Sequence, residues 1–398
     1  MQRQWYLFVN MLKSILAFTP IFYPHMGGAE RTVFELYSRL IRRHGYTVTL
    51  ITLNTEHAPK TEVIGGMQVV RIGRNYKSKV VKYLMLQWLF LVTYVRLSFQ
   101  NNFDVVHVHY GFPLSFATLV LRVFTRKKII ISEYHFATGV DISSGDQNPR
   151  YVNYIAGLVY TFAHRVLVIS QDNRKFIQKT SGIDKAIVIK QGADHLFFSP
   201  TYADEQKRKL WLGTNDFLAV TTSRISPRKN LEDMIKAVYL VRSQGIRLKL
   251  LINGSVDKGY QTYEAGLKKL VCDLGMEEAV QWNGFVSDED MRVIYASSDI
   301  FLLTSTYEGF GIANVEALAS GVPVITYDTG AAKDFIVDGE NGFVVASNTP
   351  EDIASSLSHV LLDVDTMGYM KQCARVCVDK ELNWDHYADI NHNYISTV

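Results

Sequence analysis

Two glutamates, Glu308 and Glu316, lie on either side of a glycine-containing turn. The apolar run Ile300–Leu303 before them predicts a buried strand, residues 309–311 predict the turn, and residues 312–319 predict a helix. The start of a helix presents backbone N–H groups and the positive end of the helix dipole, which suits a phosphate. One carboxylate at each end of this turn could accept hydrogen bonds from a sugar and from a ribose. Either glutamate by itself is equally consistent with a surface residue beside a helix cap.

A second segment supplies fixed positive charge. Arg224 and Lys229 follow the predicted strand Phe217–Thr222, on a loop that leads into a helix start at Asn230. Two cations at the carboxyl end of a strand can neutralise a pyrophosphate as it leaves, which is the work of a metal ion in other transferases. The sequence therefore predicts a site that needs no metal and no cofactor.

Three residues of the first half are further candidates. Gly27 and Gly28 follow the predicted strand Ser14–Phe18, where small residues let a phosphate or a sugar approach the backbone. The dinucleotide fingerprint G-x-G-x-x-G is absent there, which argues against a dehydrogenase. His135 follows a strand predicted at residues 128–132, at the sheet edge where α/β proteins bind ligands.

The elements that must position these residues alternate between strand and helix. Such alternation indicates βαβ units and parallel sheets, and it occurs twice, so the sequence predicts two Rossmann-like domains in tandem. The boundary is predicted near Pro200, because no periodic apolar pattern crosses it. The predicted strands are residues 14–18, 47–52, 105–109, 128–132 and 166–170 in the first half, and 217–222, 248–252, 280–283, 300–303 and 322–327 in the second.

Composition agrees with two domains. The chain has 398 residues, more than one ordinary core accommodates. Residues 1–200 carry 24 Lys and Arg against 11 Asp and Glu, whereas the remainder carries 18 against 28. The basic half could contact an anionic membrane surface or a phosphorylated acceptor, although scattered solvated lysines would give the same count. The three cysteines form neither a disulfide framework nor a metal-ligand pattern, so a reducing, cytoplasmic location is expected.

The most apolar long segment is residues 83–97, which contains Trp88, Phe90 and Tyr94 and follows several lysines. It is too short and too interrupted to span a bilayer. A helix of this composition could lie in a membrane interface, as expected of a peripheral protein on the cytoplasmic face of a membrane. A helix packed between a sheet and a loop would have the same composition.

The motifs resemble those of one enzyme family over nearly the whole chain. Glu308-Gly-Phe-Gly-Ile, followed by Glu316-Ala-Leu-Ala-x-Gly-x-Pro-Val, is similar to the Glu-x7-Glu signature of the family-4 retaining glycosyltransferases, or glycosyl transferases group 1. Further similar motifs occur in the family's order. They are Gly-Gly-Ala-Glu-Arg at 27–31, Asp-Val-Val-His-Val-His at 104–109, residues 129–135, 166–170 and 187–194, Ser-Arg-x4-Lys-Asn at 223–230, and Gly-Phe-Val at 284–286.

The resemblance implies the GT-B architecture, two Rossmann-like domains with parallel sheets facing a central cleft. Residues 1–200 would receive the acceptor, residues 201–382 would bind a nucleotide sugar, and residues 383–398 would form a helix that crosses back to the first domain. Neither domain is expected to bind nucleic acid.

The resemblance also implies residue roles. Glu308 would bind the donor sugar's hydroxyls, Glu316 the ribose, and His135 the transferred sugar. The backbone near Val286 would contact the base. Backbone N–H groups at Phe310, Gly311 and Ile312 would contact the phosphates and the sugar.

The activity implied is hexosyl transfer (EC 2.4.1.-) from a nucleoside diphosphate sugar to a saccharide acceptor that is expected to be lipid-linked, in cell-surface polysaccharide, lipopolysaccharide or glycolipid synthesis. Retention without a nucleophile implies front-side attack, in which the leaving phosphate oxygen takes the acceptor's proton. Two positions depart from the family: Gln191 replaces a usual asparagine, and Asp334 replaces a common glutamate.

Two other functions fit the same fold. One is a non-catalytic, nucleotide-sugar-binding scaffold subunit of a glycan assembly complex, which the intact set of polar candidates disfavours. The other is a nucleotide-sugar epimerase, which the Glu-x7-Glu spacing together with Arg224 and Lys229 disfavours. A donor-hydrolysis assay and product analysis would separate these possibilities from a transferase.

Overall fold

The chain forms two compact units in a computed structural model. The structure describes residues 13–25, 27–54, 58–74, 78–110, 114–134, 150–257 and 259–398. The first unit comprises Met1–Ile189 and Trp384–Val398, and the second comprises Lys190–Asn383.

The first unit is built on one eight-stranded sheet. Its strands are β1 (Ser14–Phe18), β2 (Thr47–Leu53), β3 (Thr61–Ile64), β4 (Met67–Ile72), β5 (Val105–His109), β6 (Lys128–Glu133), β7 (Arg165–Val168) and β8 (Ala186–Val188). They are ordered β3-β4-β2-β1-β5-β6-β7-β8, and every pairing is parallel except that of β3 with β4. The central strands are near-continuous apolar runs, because helices cover both faces of a parallel sheet and the strands are buried along most of their length.

Helices connect these strands and cover the sheet. They are α1 (Gly28–His44), α2 (Lys79–Ser98), α3 (Ser115–Phe124), α4 (Arg150–Phe162) and α5 (Gln171–Ser181). Neighbouring helices α2 and α3, and α3 and α4, contact each other and pack on the sheet through one apolar cluster.

The second unit repeats the plan with six parallel strands. They are β9 (Phe217–Thr222), β10 (Leu248–Asn253), β11 (Val280–Gly284), β12 (Ile300–Leu303), β13 (Val324–Tyr327) and β14 (Gly342–Val345), ordered β11-β10-β9-β12-β13-β14. Its helices are α6 (Glu205–Leu212), α7 (Leu231–Ser243), α8 (Gln261–Asp273), α9 (Asp288–Ala296), α10 (Ile312–Ala319), α11 (Ala332–Phe335), α12 (Pro350–Leu362) and α13 (Val364–Lys380), and short 3-10 helices span Pro200–Tyr202 and Pro227–Lys229.

The predicted α/β class with two parallel sheets is confirmed, and each predicted strand forms with ends shifted by two residues or fewer. The edge strands β8 and β14 were missed, and so was the β3–β4 hairpin. The sequence signal for this hairpin is the pair Gly65 and Gly66 between two short runs of strand-forming residues. Both glycines adopt a positive φ, which the tight turn between β3 and β4 requires.

The second unit begins at Lys190, before the boundary predicted at residue 200. The guanidinium of Arg375 on α13 explains the difference, because its Nη1 donates to the carbonyl oxygens of His195 at 2.9 Å and Phe198 at 3.0 Å. Residues 190–200 are thereby attached to the second unit. The sequence prediction used Pro200 because it breaks the local helical pattern. The attachment of residues 190–200 depends instead on Arg375, which is far along the chain.

The last helix, α14 (Trp384–Ser396), belongs to the first unit and packs against α1. Arg39 Nε donates to Asp385 at 2.7 Å, and Arg43 donates to Asp385 at 3.0 Å and to Asp389 at 2.8 Å. Trp384 and Tyr387 are buried beneath these pairs. Buried apolar side chains and a row of ion pairs therefore hold α14 against α1.

This helix pair predicts a pH dependence of stability. The rings of His44 and His392 stack with their centroids 3.9 Å apart, and His44 Nε2 lies 2.7 Å from Asp389. Burial lowers the pKa of His392, the charges of His44 and Lys13 lower it further, and Asp389 opposes them. Because the unfolded chain, with a pKa of about 6.5, binds this proton more readily, the contribution to stability is complete above that pH and is lost as pH falls through the folded pKa.

We therefore expect the urea midpoint of the first unit to fall between about pH 7.5 and about pH 5. His392→Phe keeps an aromatic ring beside His44 but removes its titration, so this variant should lose part of the pH dependence. Equal pH dependence in both proteins would contradict the assignment.

Candidate functional site

Two loops of the second unit meet at one edge of its sheet. β9 and β12 are neighbouring parallel strands, so their carboxyl ends lie at the same edge. The loop after β9, residues 223–230, carries Arg224 and Lys229, and the loop after β12, residues 304–311, carries Glu308 and leads into α10. The structure thereby joins the cationic and the carboxylate segments predicted from the sequence.

The two loops are joined by an ion pair between Lys229 Nζ and Glu308 Oε1, with both side chains only 12% exposed. Burial lowers the pKa of Lys229, an effect that the charge of Glu308 opposes. Burial acts to raise the pKa of Glu308, but the charges of Lys229 and Arg228 outweigh it, so the pKa lies below its ordinary value. Glu308 is therefore an ionised carboxylate held beside positive charge.

Arg228 was missed in the sequence and holds the same two loops together. Its Nη1 donates to the Tyr307 carbonyl oxygen at 3.1 Å, and its own carbonyl oxygen accepts from Thr306 N at 2.9 Å. Thr304 Oγ1 donates to the Asn230 carbonyl oxygen at 2.9 Å. These bonds fix the backbone on both sides of the ion pair. The only local signal was a second cation in the Pro-Arg-Lys sequence.

Arg224 lies at the exposed side of this cluster. Its side chain is 63% exposed and pairs with Asp257, which follows β10, at 3.1 Å. Its charge also contributes to lowering the pKa of Lys229, after burial and the charge of Arg228. Lys229 and Arg228 thus lie beside the Glu308 carboxylate, whereas Arg224 pairs with Asp257 and is the most exposed of the three cations.

The predicted turn leads into α10 as expected. Gly311 adopts φ 86° and ψ 55°, the left-handed region, at the N-cap position of α10. Phe310 is buried with its ring centroid 5.1 Å from that of Phe335. A Cβ atom on Gly330, whose φ is +62°, would lie 2.7 Å from the Gly309 carbonyl oxygen, so the loop after β13 closely approaches the turn. The first N–H groups of α10, including that of Ile312, lie at the helix end where no intrahelical acceptor exists.

Glu316 lies on the second turn of α10 and is buried. It follows the Gly309–Gly311 turn, whereas Glu308 precedes it, as the sequence predicted. The two carboxylates are therefore on one β12–α10 connection, one before and one after the helix N-terminus.

Val286 lies on the loop after β11 and lines a cavity of about 400 Å³ together with Asn283, Phe285 and residues of α6 and α9. Asn283 Nδ2 donates to Asn253 Oδ1 at 2.7 Å, and Asn253 Nδ2 donates to the Thr221 carbonyl oxygen at 3.1 Å. These amides connect the carboxyl ends of β11, β10 and β9. The cavity is therefore at the same sheet edge as the ion pair.

The remaining predicted residues belong to the first unit. Gly27 is the N-cap of α1 in an extended conformation, and Gly28 begins the helix that follows β1. His135 lies outside the described residues. Its neighbour Tyr134 is buried at the end of β6. A donor-binding role for Gly27 and Gly28 stays a prediction.

A buried hydrogen-bond chain crosses the first unit beneath Tyr134. Tyr37 Oη lies 2.9 Å from His107 Nδ1 and 2.6 Å from His109 Nε2, and His109 Nδ1 lies 2.6 Å from Tyr134 Oη. Burial lowers the pKa of His107 to about 3, and burial together with His107 lowers that of His109. Both imidazoles are neutral at physiological pH, as a structural role requires.

The acidic side chains of the second unit lie mainly at helix starts and in ion pairs. Within the described parts of the chain, no group of three or more His, Cys, Asp or Glu side chains is placed to hold a metal ion. Two Asp-x-Asp sequences occur, and both lie at helix starts: Asp290, in the first turn of α9, accepts from Ser287 Oγ at 2.9 Å, and Asp363, the N-cap of α13, accepts from the backbone N–H groups of Asp365 and Thr366 at 3.1 Å. The prediction of metal independence is left untested by this arrangement.

Comparison with known families covers both units. Residues 203–376 match the family described as Glycosyl transferases group 1, and residues 26–196 match the family described as Glycosyltransferase Family 4.

Individual relatives match over most of their length. The chain is 24% identical over 352 residues to an uncharacterised glycosyltransferase of Methanocaldococcus jannaschii, covering 87% of this chain and 88% of that one. It is 27% identical over 313 residues to the alpha-monoglucosyldiacylglycerol synthase of Acholeplasma laidlawii, covering 72% and 74%. The structure of Anabaena HepE in complex with UDP superposes with a TM-score of 0.78 at 18% identity, covering 97% of this chain and 100% of that one, which shows a shared GT-B fold.

Removing Lys229 should expose the dependence of the site on the ion pair. Lys229→Met leaves the buried Glu308 carboxylate without its closest cation, so we expect the second unit to lose about 3 kcal/mol of unfolding free energy in urea denaturation. In the double variant Lys229→Met/Glu308→Leu no charge is stranded, so much of that loss should be recovered. Additive losses from the two single changes would contradict the pairing.

Gly330→Ala should disturb the turn before α10. The added Cβ would lie within 3 Å of the Gly309 and Glu308 carbonyl oxygens, in addition to the strain of a positive φ. Gly275→Ala is a matched control, since Gly275 has φ +65° with nothing near its Cβ. We expect a loss of about 1 kcal/mol in the control and a larger one in Gly330→Ala, measured by thermal denaturation. Equal losses would show that the close approach is unimportant.

Proposed function

Since the chain belongs to the family-4 glycosyltransferases of the GT-B fold, we propose that it transfers a hexose, with retention of configuration, from a nucleoside diphosphate sugar to a saccharide acceptor. The observation that carries this proposal is the ionised Glu308 carboxylate held beside Lys229 and Arg228 just before α10, with the charge of Arg224 close enough to act on Lys229. A carboxylate binds sugar hydroxyls, and the adjacent cations and helix N-terminus bind a diphosphate, so the two halves of a sugar nucleotide have partners within one loop cluster.

The proposed roles follow the chemistry of each group. Lys229 and Arg224 stabilise the charge that develops on the leaving diphosphate, together with the backbone N–H groups at the start of α10. Glu308 orients the sugar, and Glu316 accepts from the ribose hydroxyls. The loop at Val286 contacts the base, and its cavity has room for one.

The reaction is proposed to need no metal ion, because fixed cations already occupy the place where leaving-group charge appears. Front-side attack then places the acceptor hydroxyl beside the leaving phosphate oxygen, which receives its proton as the new glycosidic bond forms. The protein contributes placement and electrostatic stabilisation rather than a covalent intermediate. Addition of a chelator should leave the rate unchanged under this scheme.

The acceptor is proposed to be a lipid-linked saccharide or glycolipid at the cytoplasmic face of a membrane. Support comes from the Acholeplasma relative, which is named for making a glucosyldiacylglycerol. Among the described residues no helix is long and apolar enough to cross a bilayer. Contact with a lipid acceptor would therefore occur at a membrane surface.

Thermal unfolding with uridine, guanosine and adenosine diphosphates tests the donor site. At a nucleotide concentration about 100 times the dissociation constant, the folded state should gain roughly 2.7 kcal/mol. Glu316→Ala should diminish the shift, whereas Glu278→Ala, an exposed carboxylate at the amino end of β11, should leave it intact. The absence of a shift with all three nucleotides would contradict the proposal.

Turnover separates the transferase from its rivals. We expect Lys229→Met to lower donor hydrolysis or transfer by about 10²–10³-fold, the usual loss when a donor to developing charge is removed. Nucleotide binding without any turnover would favour a scaffold subunit, and an inverted sugar stereocentre on the free nucleotide would favour an epimerase. The anomeric configuration of the product, read by NMR, tests retention.

A further inference from the structure

The outer sides of α2, α3 and α4 form an unusual surface on the first unit. On α2, exposed apolar residues recur at helical spacing, and they are Leu84, Trp88, Val92, Val95 and the C-cap Phe99. They are 46–87% exposed, while the opposite side of the same helix, including Phe90 and Tyr94, is buried on the sheet. α2 is therefore apolar on both sides, and within the described parts of the chain only one of them is covered.

The neighbouring helices extend this surface. On α3, Phe116 is 58% exposed and Phe124 is 80% exposed, and on α4, Tyr154 is 69% exposed. Gln87 Oε1 accepts from Ala117 N at 2.8 Å, which connects α2 to the start of α3. Arg122 Nε donates to the Phe162 carbonyl oxygen at 3.2 Å, which connects α3 to α4. The three helices are thus fixed to one another, and their exposed side chains form one layer.

The charge of this layer is of a single sign. The sequences of α2, α3 and α4 contain no Asp or Glu. Exposed cations lie on the helices and after α3, namely Arg96, Arg122, Arg126 and Lys128. The other side of the unit is different, because α1 and α14 carry carboxylates that pair with their arginines. Apolar and aromatic side chains beside positive charge that pairs with no carboxylate of the described residues complement a bilayer that presents acyl chains below anionic headgroups.

We propose that the outer sides of α2, α3 and α4 dock on an anionic phospholipid bilayer. The helices lie in the interface and do not span it, since no described helix is long and apolar enough to cross. A second copy presenting the same surface would set arginines against arginines across a two-fold interface, which disfavours self-association. This inference deepens the proposed function, since it states how a lipid-linked acceptor is reached, but docking itself requires no turnover.

Co-sedimentation of the full chain with phosphatidylcholine vesicles, with and without phosphatidylglycerol, tests the docking. We expect binding to the anionic vesicles that weakens when NaCl is raised from about 0.1 M to about 1 M, because the Debye length falls from about 10 Å to about 3 Å. Arg126→Glu should weaken binding by roughly 30-fold, since each unit charge near the surface is worth about a factor of five and the reversal changes two. Lys175→Glu, on the exposed side of α5, is the charge control.

The apolar contribution is tested by Trp88→Ser/Phe124→Ser, which removes two exposed side chains and so should preserve the fold. This double variant should bind anionic vesicles at least fivefold more weakly, whereas Val63→Ser on β3, 74% exposed in the same unit, should bind normally. Acyl-chain-brominated lipids should also quench fluorescence of the parent protein more than that of Trp88→Phe. Equal vesicle binding by the parent and the double variant would overturn the proposal.

Two further measurements separate the possible failures. If sedimentation velocity shows a dimer that the double variant lacks, and vesicles are not bound, the surface is a protein interface and bilayer docking is wrong. The thermal shift by a nucleoside diphosphate should be the same in the double variant and the parent. Vesicle binding without any nucleotide shift in the parent would keep the docking surface and overturn the proposed function.

Discussion

The buried ion pair between Lys229 and Glu308 is the constraint on which the second unit's site depends. It exists because β9 and β12 are adjacent parallel strands, so the loops that follow them leave the sheet at one edge. Two buried charges are stable only when each has its partner, so neither loop can move away without stranding a charge. The side chains of Arg228 and Thr304 donate to backbone carbonyl oxygens of the opposite loop and so hold the loops at the spacing that the pair requires.

The same arrangement explains how an anionic ligand could bind without reorganising the protein. Arg228 and Lys229 carry two positive charges beside the single negative charge of Glu308, and the N-terminus of α10 adds a partial positive charge nearby. A diphosphate would restore the balance. Because these groups are already in place and partly removed from water, they favour charge that develops on a leaving group more strongly than mobile side chains in solvent would.

Charge and apolar surface are distributed differently in the first unit. Its α1–α14 side satisfies its carboxylates and arginines internally, and its buried Tyr37–His107–His109–Tyr134 chain holds neutral polar groups in complete pairs. The helices α2, α3 and α4 contain no Asp or Glu, and among the described residues their outer aromatic side chains are exposed. The two sides of the sheet therefore differ, because one pairs its charges within the unit and the other leaves apolar side chains at its surface.

Short-range patterns in the sequence determined most of the strands, among them the central ones of both sheets, the α/β class and the β12–turn–α10 connection. These features depend on side-chain periodicity and on backbone preferences, such as the positive φ of Gly311. Both are set by residues that are close together in the sequence. The spacing of Glu308 and Glu316 likewise follows from one turn. Only the tertiary structure decided that Arg228 bonds to Tyr307, that Gly330 approaches Gly309, and that Arg375 attaches residues 190–200 to the second unit. It also decided which side of α2 the sheet covers, because an all-round apolar helix has no periodic signal for its buried side. Each of these outcomes joins residues distant in the chain, and their proximity arises from strand order rather than from local preference.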